Sequence, residues 1–562
     1  MLRSSNRTER CAPPERTMTD MTRRDLLMAA GRGAAGLATP AWTREALAHN
    51  AEEIASSEWN HCAIRDLVAA LQAGKVSALE LTDLAIARIE RLDRCVNAVV
   101  VHDFERARDA ARMADAALSR GEMGALLGVP MTVKESFNIA GLPTTWGIPH
   151  FRHFKPKEDA LVVARVKKAG AVILGKTNVP LRLSDWQSYN DIYGTTNNPW
   201  DLSRTPGGSS GGSAAALASG FGPLSLGSDM GGSLRAPAHY CGVYAHKPTL
   251  GLVPPRGQVP PGVPPLPRDS DLAVVGPLAR SAADLALALD VIAGPDEERA
   301  GVAYRLALRP ARHDNLKDFR VLVIDKHPLG PTGSVVKAAL GRLSERLGRV
   351  GVKIARASPS LPDFAESARI YTRLLSSLWG ADLPPGAYAG MRREAAALSP
   401  RDGSLAAERT RGAVISHRDW LEADSARTRL SQRWSKLFRE WDVVLCPAMP
   451  TPAFPHDHSS PLEDRQIRID GKSYSYIDAQ IVWGELATTP GLPATVAPID
   501  RSESGLPIGV QIIGPYLEDR TTLAFAELLE REFGGFMPPP FQECPTPPIM
   551  GRSPSFAPGR AC

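Results

Sequence analysis

Gly207-Gly208-Ser209-Ser210-Gly211-Gly212-Ser213 and, a helix length downstream, Asp229-Met230-Gly231-Gly232-Ser233-Leu234-Arg235 are the stretches whose reading decides the fold. Glycine lets the backbone take positive φ and lets other atoms approach closely. Successive N–H groups in such turns can converge on one anionic oxygen. A serine hydroxyl becomes a nucleophile once a base takes its proton. Runs of glycine and serine also make flexible linkers, but the residues between the two turns argue otherwise. Ala214-Ala215-Ala216-Leu217-Ala218 is apolar and helix-prone, and Pro223-Leu224-Ser225-Leu226 reads as a short buried strand.

Outward from the turns, the chain alternates helical and strand patterns. Ala63, Ile64, Leu67, Val68 and Leu71 fall at helical spacing, and Ser77-Ala78-Leu79-Glu80 is a capping box opening a helix to about Leu92. Asn97–Val101 reads as a strand, Phe104–Leu118 as an amphipathic helix, and Val129–Val133 as a strand that delivers Lys134. Further on, residues 253–267 are Pro-rich and predict a loop; Ser281–Ala293 and Val335–Leu347 predict helices, and residues 320–325 a strand. Residues 364–440 are helical and charged, Val443–Pro447 and Leu506–Pro515 are core strands, and Thr521–Phe533 is a helix.

The run from Gly207 to Pro237 resembles the amidase signature family throughout, spacing included. Val129–Glu135 is similar to that family's lysine strand, and Gly170–Asn178, Tyr193–Asp201, Lys247-Pro248-Thr249 and Leu506–Pro515 resemble further family segments. His246 and Gly147-Ile148 depart from the family pattern next to two of them. The resemblance implies an α/β fold: one large α/β/α sandwich with a central mixed, mostly parallel twisted sheet covered by helices. It implies Lys134 as base, Ser209 as proton relay and Ser233 as nucleophile, with backbone N–H groups of Met230, Gly231, Gly232 and Ser233 forming an oxyanion hole. It also implies a cis peptide at Gly208–Ser209, and no metal or cofactor. Residue chemistry alone leaves Ser209 and Ser210 both open for the relay; the resemblance selects Ser209. Ser213, Ser225 and Ser228 read as packing or capping residues, and Asp229 with Arg235 as a pair that holds the turn.

Lys134 carries a physical demand. An unperturbed lysine titrates near ~10.4 and is almost wholly protonated at neutral pH, so it cannot accept a proton there. Burial disfavours the ammonium and lowers that value; a shift of about three units is ~4 kcal/mol of differential interaction. Lys134 is therefore expected to be buried.

Two motifs point elsewhere. Gly170-Ala171-Val172-Ile173-Leu174-Gly175-Lys176-Thr177 matches the phosphate-binding pattern G-x-x-x-x-G-K-T, and Arg320–Asp325 resembles its partner strand. The pattern needs a strand, then a loop between the glycines, then a helix. Here a helical pattern precedes Gly170, Ala171–Leu174 is itself a strand, and Pro180 opposes a helix after Thr177. His456-Asp457-His458 lacks a third metal ligand nearby and reads as a solvated loop.

Composition bounds the rest. An apolar content of 43% supports a globular core rather than a disordered chain, and no long uninterrupted apolar stretch predicts a membrane span. The formal net charge is +5, but residues 1–48 hold eight arginines against five acids, leaving a near-neutral body with no electrostatic case for nucleic acid. Those residues read as an export signal: Arg23-Arg24 is the twin-arginine pair, Leu26–Ala41 is mildly apolar, and Ala46-Leu47-Ala48 is a small-x-small cleavage site. The division expected is 1–48 signal, 49–545 amidase domain with 364–440 shaping the substrate pocket, and 546–562 a flexible tail. Location is then periplasmic or secreted through the twin-arginine machinery, or cytoplasmic if the signal is unused. The seven cysteines show no CxxC spacing, and Cys241 and Cys446 sit in apolar runs as buried thiols.

Three functions follow as candidates. One is a serine hydrolase cleaving the C–N bond of a small-molecule amide, anilide, peptide amide or carbamate. The second is the amidase-like A subunit of a tRNA-dependent amidotransferase, which shares these motifs and needs partner subunits. The third is a P-loop nucleotide-binding protein, which the order of elements disfavours.

Overall fold

Lys134 ends a strand whose five residues are all buried, and the rest of the architecture explains how a lysine comes to be there. The computed structural model describes residues 59–267 and 271–540. The segments expected as an export signal, 1–48, and as a tail, 546–562, lie outside the described residues.

An eleven-stranded sheet runs through the molecule. In chain order the strands are β1 (Val99–His102), β2 (Pro130–Lys134), β3 (Val172–Thr177), the short pair β4 (Tyr189–Asn190) and β5 (Gly194–Thr195), β6 (Leu224–Asp229), β7 (Tyr244–Lys247) and β8 (Val274–Ala279). Then come β9 (Arg320–Val323), β10 (Lys353–Ala355), β11 (Val443–Pro447), the hairpin β12 (Gln466–Ile469) and β13 (Lys472–Ser475), β14 (Ala494–Arg501) and β15 (Pro507–Ile513). The sheet order is β1-β3-β2-β6-β8-β7-β14-β15-β11-β9-β10.

The sheet is mixed, as expected, but it is not mostly parallel. Parallel neighbours occur in two blocks, β3-β2-β6 and β11-β9-β10. Between them β6-β8-β7-β14-β15-β11 is antiparallel throughout, as is the edge pair β1-β3. The reason is connection length. Parallel neighbours need a crossover, which the helix Ser334–Arg349 supplies between β9 and β10. A short turn from Arg501 to Pro507 can only fold β15 back on β14.

Helices cover both faces. Met131 and Val133 of β2 and Leu224 and Leu226 of β6 join a core shared with the helices Leu161–Lys168, Ala282–Ile292, Ser334–Arg349 and Asp519–Phe533. On the opposite face, one core packs under Ala78–Val96, Phe104–Ser119 and Gly211–Ala218, and another under Phe364–Gly380, His417–Glu440 and Tyr476–Thr488. This is the α/β/α sandwich. Strand alternation places Thr132 and Lys134 on the face opposite to Met131 and Val133.

Local signals hold where chemistry is local. Ser77 Oγ accepts from the Glu80 N–H at 3.0 Å and the Glu80 carboxylate accepts from the Ser77 N–H at 2.9 Å. That helix runs past Leu92 to Val96, because Asn97 in the left-handed region, φ 55, provides the stop. The segment 364–440 contains four helices: Phe364–Gly380, Pro385–Ala397, Leu405–Ala413 and His417–Glu440. Cys241 and Cys446 are buried free thiols, as expected. Among the described residues no helix is long and apolar enough to cross a membrane.

Candidate active site

The parallel strands β2 and β6 lie side by side, so Lys134 and Ser228-Asp229 leave the sheet at the same edge. The Gly/Ser run passes over that edge and enters the helix Gly211–Ala218. Gly208 is held against the main chain of Asp185 and Gln187, where any Cβ would collide with two carbonyl oxygens. The Gly208–Ser209 peptide is cis, as the resemblance implied.

Lys134 is fully buried. Its Nζ lies 2.7 Å from Ser209 Oγ and 3.0 Å from Ser228 Oγ. Burial lowers its ammonium from 10.5 to about 7, against the opposing pull of the Asp229 carboxylate. Ser210 is arranged differently. Its hydroxyl donates to Ser228 O at 3.3 Å and accepts from the Ser228 N–H at 3.4 Å, and makes no bond to Lys134. Of the two adjacent serines, Ser209 is the one whose hydroxyl meets the amine.

Ser233 is half-buried, and its carbonyl accepts from the Ser210 N–H at 3.2 Å, which ties the two turns together. Among the described residues its hydroxyl has no hydrogen-bond partner, so the structure does not show the expected Ser209–Ser233 contact. Hydrogen bonds of this kind are often long before substrate enters and tighten in the complex.

The turn carrying Ser233 is shaped by Asp229. Its carboxylate accepts from the N–H groups of Gly232 and Leu234, each at 2.9 Å, and pairs with the Arg235 guanidinium at 2.7 and 3.0 Å. Burial alone would raise the Asp229 carboxyl; Arg235 outweighs it and holds it at about 2. The four N–H groups expected in the oxyanion hole are not equivalent in this turn. The Gly232 N–H is already engaged by Asp229, while those of Met230, Gly231 and Ser233 have no acceptor among the described residues. The pair is also structural. Asp229→Ala leaves the buried Arg235 without its anion and is expected to cost about 3–5 kcal/mol, measured by urea unfolding.

The phosphate-binding pattern dissolves in the fold. Gly175 and Lys176 lie inside β3. Lys176 is buried, donating to Pro143 O and, at 2.8 Å, to Thr144 Oγ1, with Glu135 as its nearby anion. His458 stacks on Tyr189 with ring centroids 3.7 Å apart, and Asp457 accepts from Ser459. Among the described residues no group of three or more His, Cys, Asp or Glu side chains is placed to hold a metal ion.

A buried lysine beside a serine that follows a cis bond, joined through backbone to a second serine turn, is a specific arrangement, and the amidase family profile matches residues 80–523. The chain belongs to the amidase signature family. The glutamyl-tRNA(Gln) amidotransferase A subunit of Psychrobacter sp. (strain PRwf-1) is 34% identical over 507 residues, covering 84% of this chain and 97% of that protein. Among solved structures, a chain from the vestigial protein complex that reveals the evolutionary origins of an s-triazine catabolic enzyme superposes with a TM-score of 0.70. It is 31% identical and covers 84% of this chain and 98% of its own. The glutamyl-tRNA(Gln) amidotransferase A subunit of Thermotoga maritima superposes with a TM-score of 0.67 at 25% identity, covering 86% and 98%.

Sequence reasoning missed three side chains in this amidase site. Ser228, read as a packing or capping residue, is the second hydrogen-bond partner of Lys134. Tyr371 donates to Met230 O, and Trp186 donates to Gly231 O, both at 2.9 Å. A signal for Ser228 did exist, since β6 delivers it just before the Asp229 turn; the other two reach the turn from distant segments with no local pattern.

Proposed function

We propose that this amidase hydrolyses the C–N bond of a small linear carboxamide through a Ser233 acyl-enzyme. The observation that carries the reading is the Lys134 amine: buried, lowered to about 7 by that burial, and 2.7 Å from Ser209 Oγ. Neutral Lys134 accepts the Ser209 proton through its lone pair while one of its N–H groups still donates to Ser228. Ser209 in turn accepts the Ser233 proton, and Ser233 Oγ attacks the acyl carbon. The carbonyl oxygen becomes an anion facing the free N–H groups of the 230–233 turn. The C–N bond then breaks, and the proton held by Lys134 returns through Ser209 to the leaving nitrogen. Water enters by the same relay, cleaves the ester and releases the carboxylate.

The test is turnover of a panel of amide, anilide, ester and carbamate substrates by the purified protein, scored by release of amine or ammonia. Failure on every amide would sink the proposal. Ser209→Ala is expected to lower kcat by about 10²–10⁴-fold with little change in unfolding midpoint, because the relay is lost and the fold is not. Ser210→Ala keeps Lys134 and Ser209 in contact, so a larger effect there would reassign the relay.

The 34% identity to an amidotransferase A subunit supports a second reading, in which the same serines release ammonia within a complex. Amide turnover only in the presence of co-purifying subunits would favour it. The first reading fits better with Arg23-Arg24 and Ala46-Leu47-Ala48, which support export of the folded enzyme. Fractionation of the native cells separates the two.

A further inference from the structure

Three carbonyl groups of the Ser233 turn are each fixed by a donor. Tyr371 Oη donates to Met230 O at 2.9 Å, Trp186 Nε1 to Gly231 O at 2.9 Å, and the Ala236 N–H to Gly232 O at 2.7 Å. The peptide bonds of this turn are trans, the described cis bonds being Gly208–Ser209 and Ser460–Pro461. In a trans peptide the C=O and the next residue's N–H point in opposite directions. Anchoring Met230 C=O therefore aims the Gly231 N–H away from Tyr371. Anchoring Gly231 C=O aims the Gly232 N–H, and that group duly meets Asp229 Oδ1 at 2.9 Å. Anchoring Gly232 C=O aims the Ser233 N–H. The Gly231 and Ser233 N–H groups are left without an acceptor among the described residues.

We propose that Tyr371 is a positioning residue for amide cleavage: its phenol, reaching in from the helix Phe364–Gly380, sets the direction of the Gly231 N–H that receives the oxyanion. The inference rests on the acyl-enzyme reading above. Two further observations support it. Tyr371 is fully buried, and a Cβ on Gly231 would stand 2.7 Å from its Oη, so the phenol reaches the turn because residue 231 has no side chain. Burial, aided by the nearby Asp229 carboxylate, also pushes the phenol well above its ordinary range, which keeps it a donor at any working pH. Tyr371 makes no hydrogen bond to Lys134, Ser209 or Ser233, so it acts through the backbone. The segment 364–440 then does more than wall a pocket: one of its helices holds part of the catalytic turn in register.

The experiment compares wild type with Tyr371→Phe, which removes one oxygen and keeps the ring. The expected result is a loss in kcat of about tenfold to a hundredfold, the scale of a small misplacement of a reacting group. KM and the midpoint of the acid limb of the pH profile stay unchanged. Affinity for a boronic acid that forms a tetrahedral adduct on Ser233 falls by the same factor as kcat/KM. Trp186→Phe frees the peptide whose N–H already belongs to Asp229, so its loss in kcat is smaller. Unchanged kcat in Tyr371→Phe, a KM rise without a kcat loss, or a greater kcat loss in Trp186→Phe would each overturn the assignment. Wild-type protein that turns over amides and binds the boronic acid isolates such a failure to Tyr371. Wild-type protein that does neither overturns the acyl-enzyme reading and this inference with it.

Discussion

Ser233→Ala is expected to lower kcat on any amide substrate by about 10⁴–10⁶-fold, with an unfolding midpoint indistinguishable from wild type. The size follows from what the residue does: a removed nucleophile leaves only substrate binding and the oxyanion donors, a residue of catalysis known from serine enzymes stripped of their nucleophile. The absence of a folding effect follows from geometry. Ser233 is half-buried and its hydroxyl makes no hydrogen bond among the described residues, so deleting it leaves no partner unpaired. Its backbone N–H, one of the free donors, survives the substitution. The measurement is steady-state turnover beside a serine-directed phosphonofluoridate label followed by mass spectrometry. Wild type should carry one phosphonyl group on Ser233, and Ser233→Ala should carry none at that position. A variant that keeps more than about a hundredth of the rate would mean that another hydroxyl attacks, and the labelled peptide would say which.

The parts of this structure that the sequence disclosed are those whose chemistry is local. Val443–Pro447 was expected as a strand and is one, because consecutive β-branched and apolar residues fit a strand buried on both faces. The capping box at Ser77 formed because its two partners are three residues apart. The helix Tyr476–Thr488 left no such trace: twelve of its thirteen residues are buried, so it has no polar face and no amphipathic period. β7 hid for a different reason. Tyr244-Ala245-His246-Lys247 ends in two polar residues that interrupt an apolar strand pattern, yet His246 is buried against Thr495 and Asp519. The sheet's antiparallel middle depends on where β8 and β14 insert, which is a long-range matter. At the site, Lys134, Ser209 and Ser233 were singled out by the family resemblance of their motifs, and the structure brings Lys134 and Ser209 into contact. Ser228 was named but read as a packing or capping residue, although β6 delivers it just before the Asp229 turn, and Tyr371 carried no local pattern, its partner lying 141 residues away.

Lys134→Ala is expected to reduce kcat/KM by about 10²–10⁴-fold at neutral pH, the usual contribution of a positioned base. The diagnostic is the pH profile. With the amine lowered to about 7, half of the wild-type molecules hold a neutral base near pH 7, and activity should fall about tenfold per unit as pH drops below that value. In the variant the acid limb should vanish, leaving a low rate flat across the same range. Stability offers an independent reading of the same group. Between about 7 and the ~10.4 of an exposed lysine, the unfolded chain binds a proton at this position and the native fold does not. Native stability therefore gains from Lys134 as pH rises through that window, and the gain is absent below it. Lys247 is also buried and lowered to about 7, by burial and then by Arg235, so it adds a rise of the same sign that persists in Lys134→Ala. The slope of unfolding free energy against pH should thus shrink in the variant without disappearing. Lys247 donates to its neighbour Pro248 O and not to a serine, so its removal should flatten the same stability slope while the acid limb of activity stays near 7. An acid limb that follows Lys247 and ignores Lys134 would move the base from one buried amine to the other.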